Sequence, residues 1–78
     1  MINVIFLGQV ADKLALRQAQ YEAKTLFELK YIVLKDLFDR AGLSIDTLKM
    51  SVNHELSVND QKLQSGDEVA FFTAFSGG

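Results

Sequence analysis

The sequence has no cysteine and no proline among its 78 residues, and it has a single histidine. Without cysteine there is no disulfide framework, no thiolate metal site and no cysteine nucleophile. Any sulfur chemistry must therefore ride on a group other than a thiol side chain. His54 has no second histidine to form a metal set with, and carboxylates alone are too common to mark one. It reads as a turn or surface residue. Apolar runs such as Val4–Leu7 and Val69–Phe72 fall far short of the roughly 20 residues that cross a bilayer, so no membrane contact is expected. The start of the chain shows neither the basic region nor the long apolar run of a secretory signal, and the expected location is cytoplasmic. Eight basic residues stand against ten acidic ones, and they are scattered from Lys13 to Lys62. A nucleic-acid binder shows a clustered basic face instead, so no nucleic-acid partner is expected.

What is present suits one small soluble domain. A chain this short buries only about 60% of its unfolded surface, which leaves no room for a cleft between lobes. Apolar residues make up 49% of the chain, too many for a disordered segment.

Ile2–Leu7 is an apolar, β-branched and aromatic run ending at Gly8, and it predicts a strand. From about Leu16 to Ala23, residues Ala19, Tyr21 and Ala23 alternate with Gln18, Gln20 and Glu22, the period of a half-wet strand. Thr25 followed by Glu28 has capping-box spacing. It opens a helix predicted over about 26–41, with Leu26, Leu29, Val33 and Leu37 on one stripe, widened by Ile32 and Phe38. Glu28, Lys35, Asp36 and Asp39 form its solvated face, and Gly42 supplies the stop. Leu48–Asn53 alternates as a third strand, and a short fourth covers about Glu55–Val58 before the turn pair Asn59–Asp60. Ser65–Gly66–Asp67 is a turn, and the last strand runs from Glu68 to about Thr73. The fold class is α+β: a mixed sheet of four to five strands packed on one main helix, the β-grasp pattern. In it the last strand lies beside the first in mid-sheet.

The chain closes with Phe75, Ser76, Gly77 and Gly78. Residues 1–74 are expected to be the domain and 75–78 a flexible diglycine tail. Glycines lack Cβ, so such a tail can enter a channel too narrow for side chains. Four residues extend roughly 13–14 Å.

Leu63–Phe72, in the form LQSGDEVAFF, followed six residues later by the diglycine end, resembles the MoaD family of sulfur-carrier small subunits. Val52–Asn53, Asp60, Leu63 and the opening Ile2–Val10 stand at that family's spacing. The resemblance spans nearly the whole chain and is densest in the last 20 residues.

It implies a ubiquitin-like β-grasp fold and a non-catalytic role in molybdenum cofactor biosynthesis. A MoeB-like partner, using ATP, would adenylate the Gly78 carboxylate. A sulfur donor would then convert it to a thiocarboxylate. A MoaE-like large subunit would draw in the tail, in a heterotetramer of two small and two large subunits, and pass the sulfur to the pterin precursor. The resemblance also implies a partner interface at Phe72, Leu56 and Leu7, with Phe75 as an aromatic anchor in the tail. It implies no bound cofactor, no metal and no catalytic side chain. The chemistry is consistent with the composition: an α-carboxyl with pKa near 3.5 is ionised and inert until activated, and sulfur on the terminus needs no thiol.

Two places depart from the family. Thr73–Ala74 stands where it usually carries prolines, which predicts a more mobile tail, and Ala11 stands where it often carries an arginine. Lys13 or Arg17 could supply that charge. The alternatives are a carrier for thiamine biosynthesis or tRNA thiolation, and a ubiquitin-like interaction module that is never activated. Asp67 and Glu68 are adjacent at a strand entry and point to opposite faces, so Asp67 reads as a turn aspartate and the two do not form an acid/base pair. Ser44, Ser51 and Ser76 have no triad around them.

Overall fold

The computed structural model describes residues 1–74; the expected tail, Phe75 to Gly78, lies outside the described residues. Ile2–Phe6 forms β1, in which alternate residues are buried. It pairs antiparallel with Gln18–Tyr21, β2. Glu68–Thr73, β5, runs parallel to β1 and antiparallel to Leu48–Val52, β3. Glu55–Ser57, β4, closes a hairpin on β3. The five-stranded sheet has the order β2-β1-β5-β3-β4. The last strand thus lies beside the first in the middle of a mixed sheet, as the sequence order predicts, and this is the ubiquitin-like β-grasp topology. With a neighbour on each side, β5 buries Val69, Ala70 and Phe71 at successive positions.

One sheet face is covered. Val4, Phe6, Val69 and Phe71 meet Leu26, Leu29, Leu34 and Phe38, all at most 1% exposed. The Phe71 ring lies 5.2 Å from that of Phe38 and 6.3 Å from that of Phe6. Burying each such side chain contributes about 1.5–3 kcal/mol.

The helix begins where the capping pair predicts. Thr25 Oγ1 accepts from the Glu28 N–H at 3.1 Å. Glu28 Oε1 reaches one residue further back than a standard capping box and accepts from the Lys24 N–H. A distant loop completes the cap: Asp60 Oδ1 accepts from the Phe27 N–H at 2.9 Å, and the Gln61 carbonyl accepts from the Leu26 N–H. Two of the orphan donors at the helix start are thus satisfied from more than 30 residues away.

The single helix expected over 26–41 is three segments: Leu26–Glu28 (α2), a π-helical stretch Leu29–Val33, and Lys35–Arg40 (α3). The Leu34 N–H donates to the Leu29 carbonyl five residues back, at 2.9 Å. One extra residue in a turn rotates everything after it by about 100°. The core stripe is therefore Leu26, Leu29, Leu34 and Phe38, whereas Val33 and Leu37 are only half-buried and Ile32 is 72% exposed.

A further helix, Gly8–Leu14 (α1), stands where the sequence predicts only the end of a strand. It buries Val10 and Ala11. Leu7 at its N-cap makes no side-chain cap, so the usual start signal is missing. The strand boundaries also tighten: β2 spans Gln18–Tyr21 where 16–23 is expected, and β3 and β4 each end one residue early. Between them Asn53 and His54 have φ of 49° and 74°, the two positive values of a type I′ hairpin turn. His54 is thus a turn residue.

Candidate functional site: the open sheet face and the base of the tail

Residues directly opposite in a sheet share a face, and successive residues alternate. With Phe6, Val69 and Phe71 on the covered face, Ile5, Ala70, Ser51 and Leu56 form one row across the other, through the pairs Ile5–Ala70, Ala70–Ser51 and Ser51–Leu56. Phe72, opposite Lys49, lies on this same open face, one row nearer the tail. The helical segments do not cover it, and the ring is half-buried. Leu7 is 46% exposed, and its N–H donates to the Phe71 carbonyl at 3.0 Å, which places it beside Phe72.

The open face is uneven along the strands. Away from the tail it is polar: Asn3 lies between Gln20 and Glu68, and Gln20 Nε2 donates to Asn3 Oδ1 at 2.7 Å. At the tail end it carries Ile5, Leu7, Ala70 and Phe72 beside the polar Gln18 and Ser51, with Lys49 the one cation among this face's strand residues. Thr73, opposite Leu48, is the last paired residue of β5, and Ala74 after it is exposed. The chain therefore leaves the sheet from a central strand beside its apolar patch.

The structure brings Phe72 and Leu7 together at the base of the tail. Leu56, 76% exposed, shares their face but lies across β3 from Phe72. Phe75, Ser76, Gly77 and Gly78 lie outside the described residues. Ala11 is buried in α1 and offers partners no side chain. Ile5 is an addition to the expected patch, and Ala70, although on the same face, is itself buried beneath it; the alternation of both with Phe6 and Phe71 was the available signal.

Asp67 is a turn residue with structural partners. It accepts from the Gln64 N–H at 2.8 Å and from Asn53 Nδ2 at 3.1 Å. These two bonds, the backbone one foremost, hold its carboxyl below the usual aspartate range. The Glu68 N–H in turn donates to Asn53 Oδ1 at 2.9 Å, which ties the β3–β4 turn to the start of β5. Among the described residues no group of three or more His, Cys, Asp or Glu gathers to hold a metal ion, and no helix is long and apolar enough to cross a membrane.

The model of the ThiS family matches residues 4–78. Two solved structures share the fold over nearly their whole lengths. The crystal structure of SAMP1 from Haloferax volcanii is 18% identical, with a TM-score of 0.70 over 99% of this chain and 98% of that one. The complex of subunits 1 and 2 of the molybdopterin-converting factor from Helicobacter pylori 26695 contains a chain 20% identical, with a TM-score of 0.72 over 99% of this chain and 97% of its own. A search of curated protein sequences finds no match. The family match, running through the β-grasp core and the diglycine end together, assigns the chain: it belongs to the ThiS family.

Proposed function

We propose that this protein carries sulfur on the Gly78 carboxylate and serves as the small, non-catalytic subunit of a molybdopterin synthase. The observation that carries the reading is the placement of Phe72 and Leu7, on an uncovered sheet face where β5 gives way to the tail. A large-subunit partner gripping that patch would have the tail within reach of its own active site. The neighbour from Helicobacter pylori, a two-subunit molybdopterin-converting factor, supports a large-subunit partner of the MoaE kind.

The chemistry needs no side chain of this chain. A carboxylate oxygen of Gly78 attacks the α-phosphorus of ATP on a MoeB-like enzyme and expels pyrophosphate. Sulfide (HS⁻) supplied by the donor then attacks the acyl carbon and displaces AMP, its proton passing to solvent. The sulfur of the resulting thiocarboxylate bonds to a carbon of the pterin precursor as an oxygen leaving group departs. Water then cleaves the acyl–sulfur bond, which leaves the sulfur on the pterin and restores the Gly78 carboxylate.

Incubation with ATP, an activating enzyme and a sulfur source should raise the intact mass by the difference between one sulfur and one oxygen. Deleting Gly78, or adding one residue after it, should abolish the gain. An unchanged terminus under conditions that charge a known carrier would sink the proposal. The ThiS-family match favours a second reading, a carrier for thiamine biosynthesis. Rescue of thiamine growth without rescue of molybdoenzyme activity, in strains lacking each carrier, would select it.

A further inference from the structure

Lys30 is the one charged side chain buried among the described residues, at 5% exposed. It sits one helical turn after Leu26, on the core stripe. Its Nζ donates to the Leu48 carbonyl at 3.1 Å and lies 5.0 Å from the centre of the Tyr31 ring. Burying an ammonium is costly unless it is hydrogen-bonded, so its position calls for a cause in the neighbouring structure.

The end of β4 supplies that cause. β4 stops at Ser57, opposite Met50, so Leu48 at the start of β3 has no strand beside it on that edge. Hydrogen-bonded and non-hydrogen-bonded pairs alternate along an antiparallel ladder. The Asn53 N–H donates to the Glu68 carbonyl at 2.7 Å, which marks a bonded pair. Counting along the register from there makes Ser51–Ala70 and Lys49–Phe72 bonded pairs, and Leu48–Thr73 a non-bonded one. The Leu48 carbonyl therefore points away from β5, toward the edge where β4 has run out. Lys30 takes the place of the missing strand. It lines a notch there with Asp46, Leu48, Met50, Ser57 and Val58.

Leu48 lies opposite Thr73, and Lys49 opposite Phe72. These are the last two residues of β5 before the tail. We infer that Lys30 is a positioning residue for the tail: its ammonium pins the start of β3, and through β3 holds the end of β5 from which the tail departs. Were that end to fray, the tail would gain length and lose direction, and Phe72 would lose its fixed place in the docking patch. A reacting group presented from a rigid base meets its partner far more productively than one on a loose base. This inference rests on the carrier reading above.

The test compares wild type, Lys30→Met, which keeps the stem and loses the donor, and Lys30→Arg, which restores one. In Lys30→Met the amides of Lys49 and Phe72 should exchange with solvent about tenfold faster, the size of effect expected when a buried carbonyl loses its partner. The exchange of Val4 and Val69 should stay unchanged. The kcat for ATP-dependent activation of Gly78 should fall severalfold, and Lys30→Arg should recover it. Equal kcat for wild type and Lys30→Met would overturn the inference and leave the carrier reading standing. No activation of wild type would instead overturn the carrier reading, and this inference with it. Wild-type exchange gives a check that needs no variant. With its end pinned, the Lys49–Phe72 pair should exchange nearly as slowly as Ser51–Ala70, and exchange a hundredfold faster would show a frayed end that Lys30 does not hold.

Discussion

The two faces of β5 differ by one residue of register and by nearly everything else. Val69 and Phe71 face the helices with no exposed surface, whereas Ala70 and Phe72 face the side the helices leave open. Apolar residues on the covered face are explained by stability alone. On the open face they gather only toward the tail, and Asn3, Gln20 and Glu68 take over at the far end. A stability requirement would not distinguish the two ends of one face, so the uneven distribution is what the proposed docking at the tail end would require.

The sharpest way to break this contrast is to truncate neighbours on opposite faces. Phe71→Ala should cost about 3–5 kcal/mol in urea denaturation, a large share of a small domain's stability. Phe72→Ala should cost about 1 kcal/mol of stability. It should instead weaken binding of a large subunit by roughly tenfold or more, as loss of an aromatic anchor does. Equal stability losses for the two would end the argument for a docking face.

A second contrast tests the inserted helical residue. Leu34→Ala should destabilise by about 2–5 kcal/mol, and Ile32→Ala by no more than about 0.5 kcal/mol. A regular helix through this region predicts a sizeable loss at Ile32, so the pair of denaturation midpoints decides between the two geometries.

Smaller effects belong to backbone strain. Ala15 and His54 hold φ of 54° and 74°, values that suit glycine. Ala15→Gly and His54→Gly should each raise stability by about 1 kcal/mol, the left-handed penalty relieved. The smallest effect concerns Asp67, on the polar side of the contrast. Its carboxyl is depressed in the folded state, so its contribution is present above the unfolded aspartate pKa of about 3.9 and is lost as pH falls through the folded value. Asp67→Asn should flatten the pH dependence of the melting temperature in that acid range and leave it unchanged near neutrality.

Much of this was legible in the chain. Strand alternation placed the sheet elements, Thr25 and Glu28 marked the helix start, and the Phe71–Phe72 doublet announced one residue for each face. Other features were not legible, for physical reasons. A π turn leaves no period of its own, so Leu34 and Ile32 exchange the places that a regular helix gives them. Gly8 reads as a break, and Leu7 offers no capping side chain, which hid α1 although Val10, Ala11 and Leu14 follow helical spacing. Lys30 fell on the apolar stripe, and a charge there carries no meaning until its partner is known.

By itself the sequence determined the five strands, their order and inward faces, and where the main helix starts, because short-range sterics and hydrophobic period act within a few neighbouring residues. Only tertiary structure decided that Asp60 caps a helix more than 30 residues away, that Lys30 stands in for a missing strand, and that Phe72 and Leu7 meet where the tail begins. Those outcomes depend on where β4 stops and on how the helix turns, and both are settled when distant segments compete for the same buried hydrogen-bond partners.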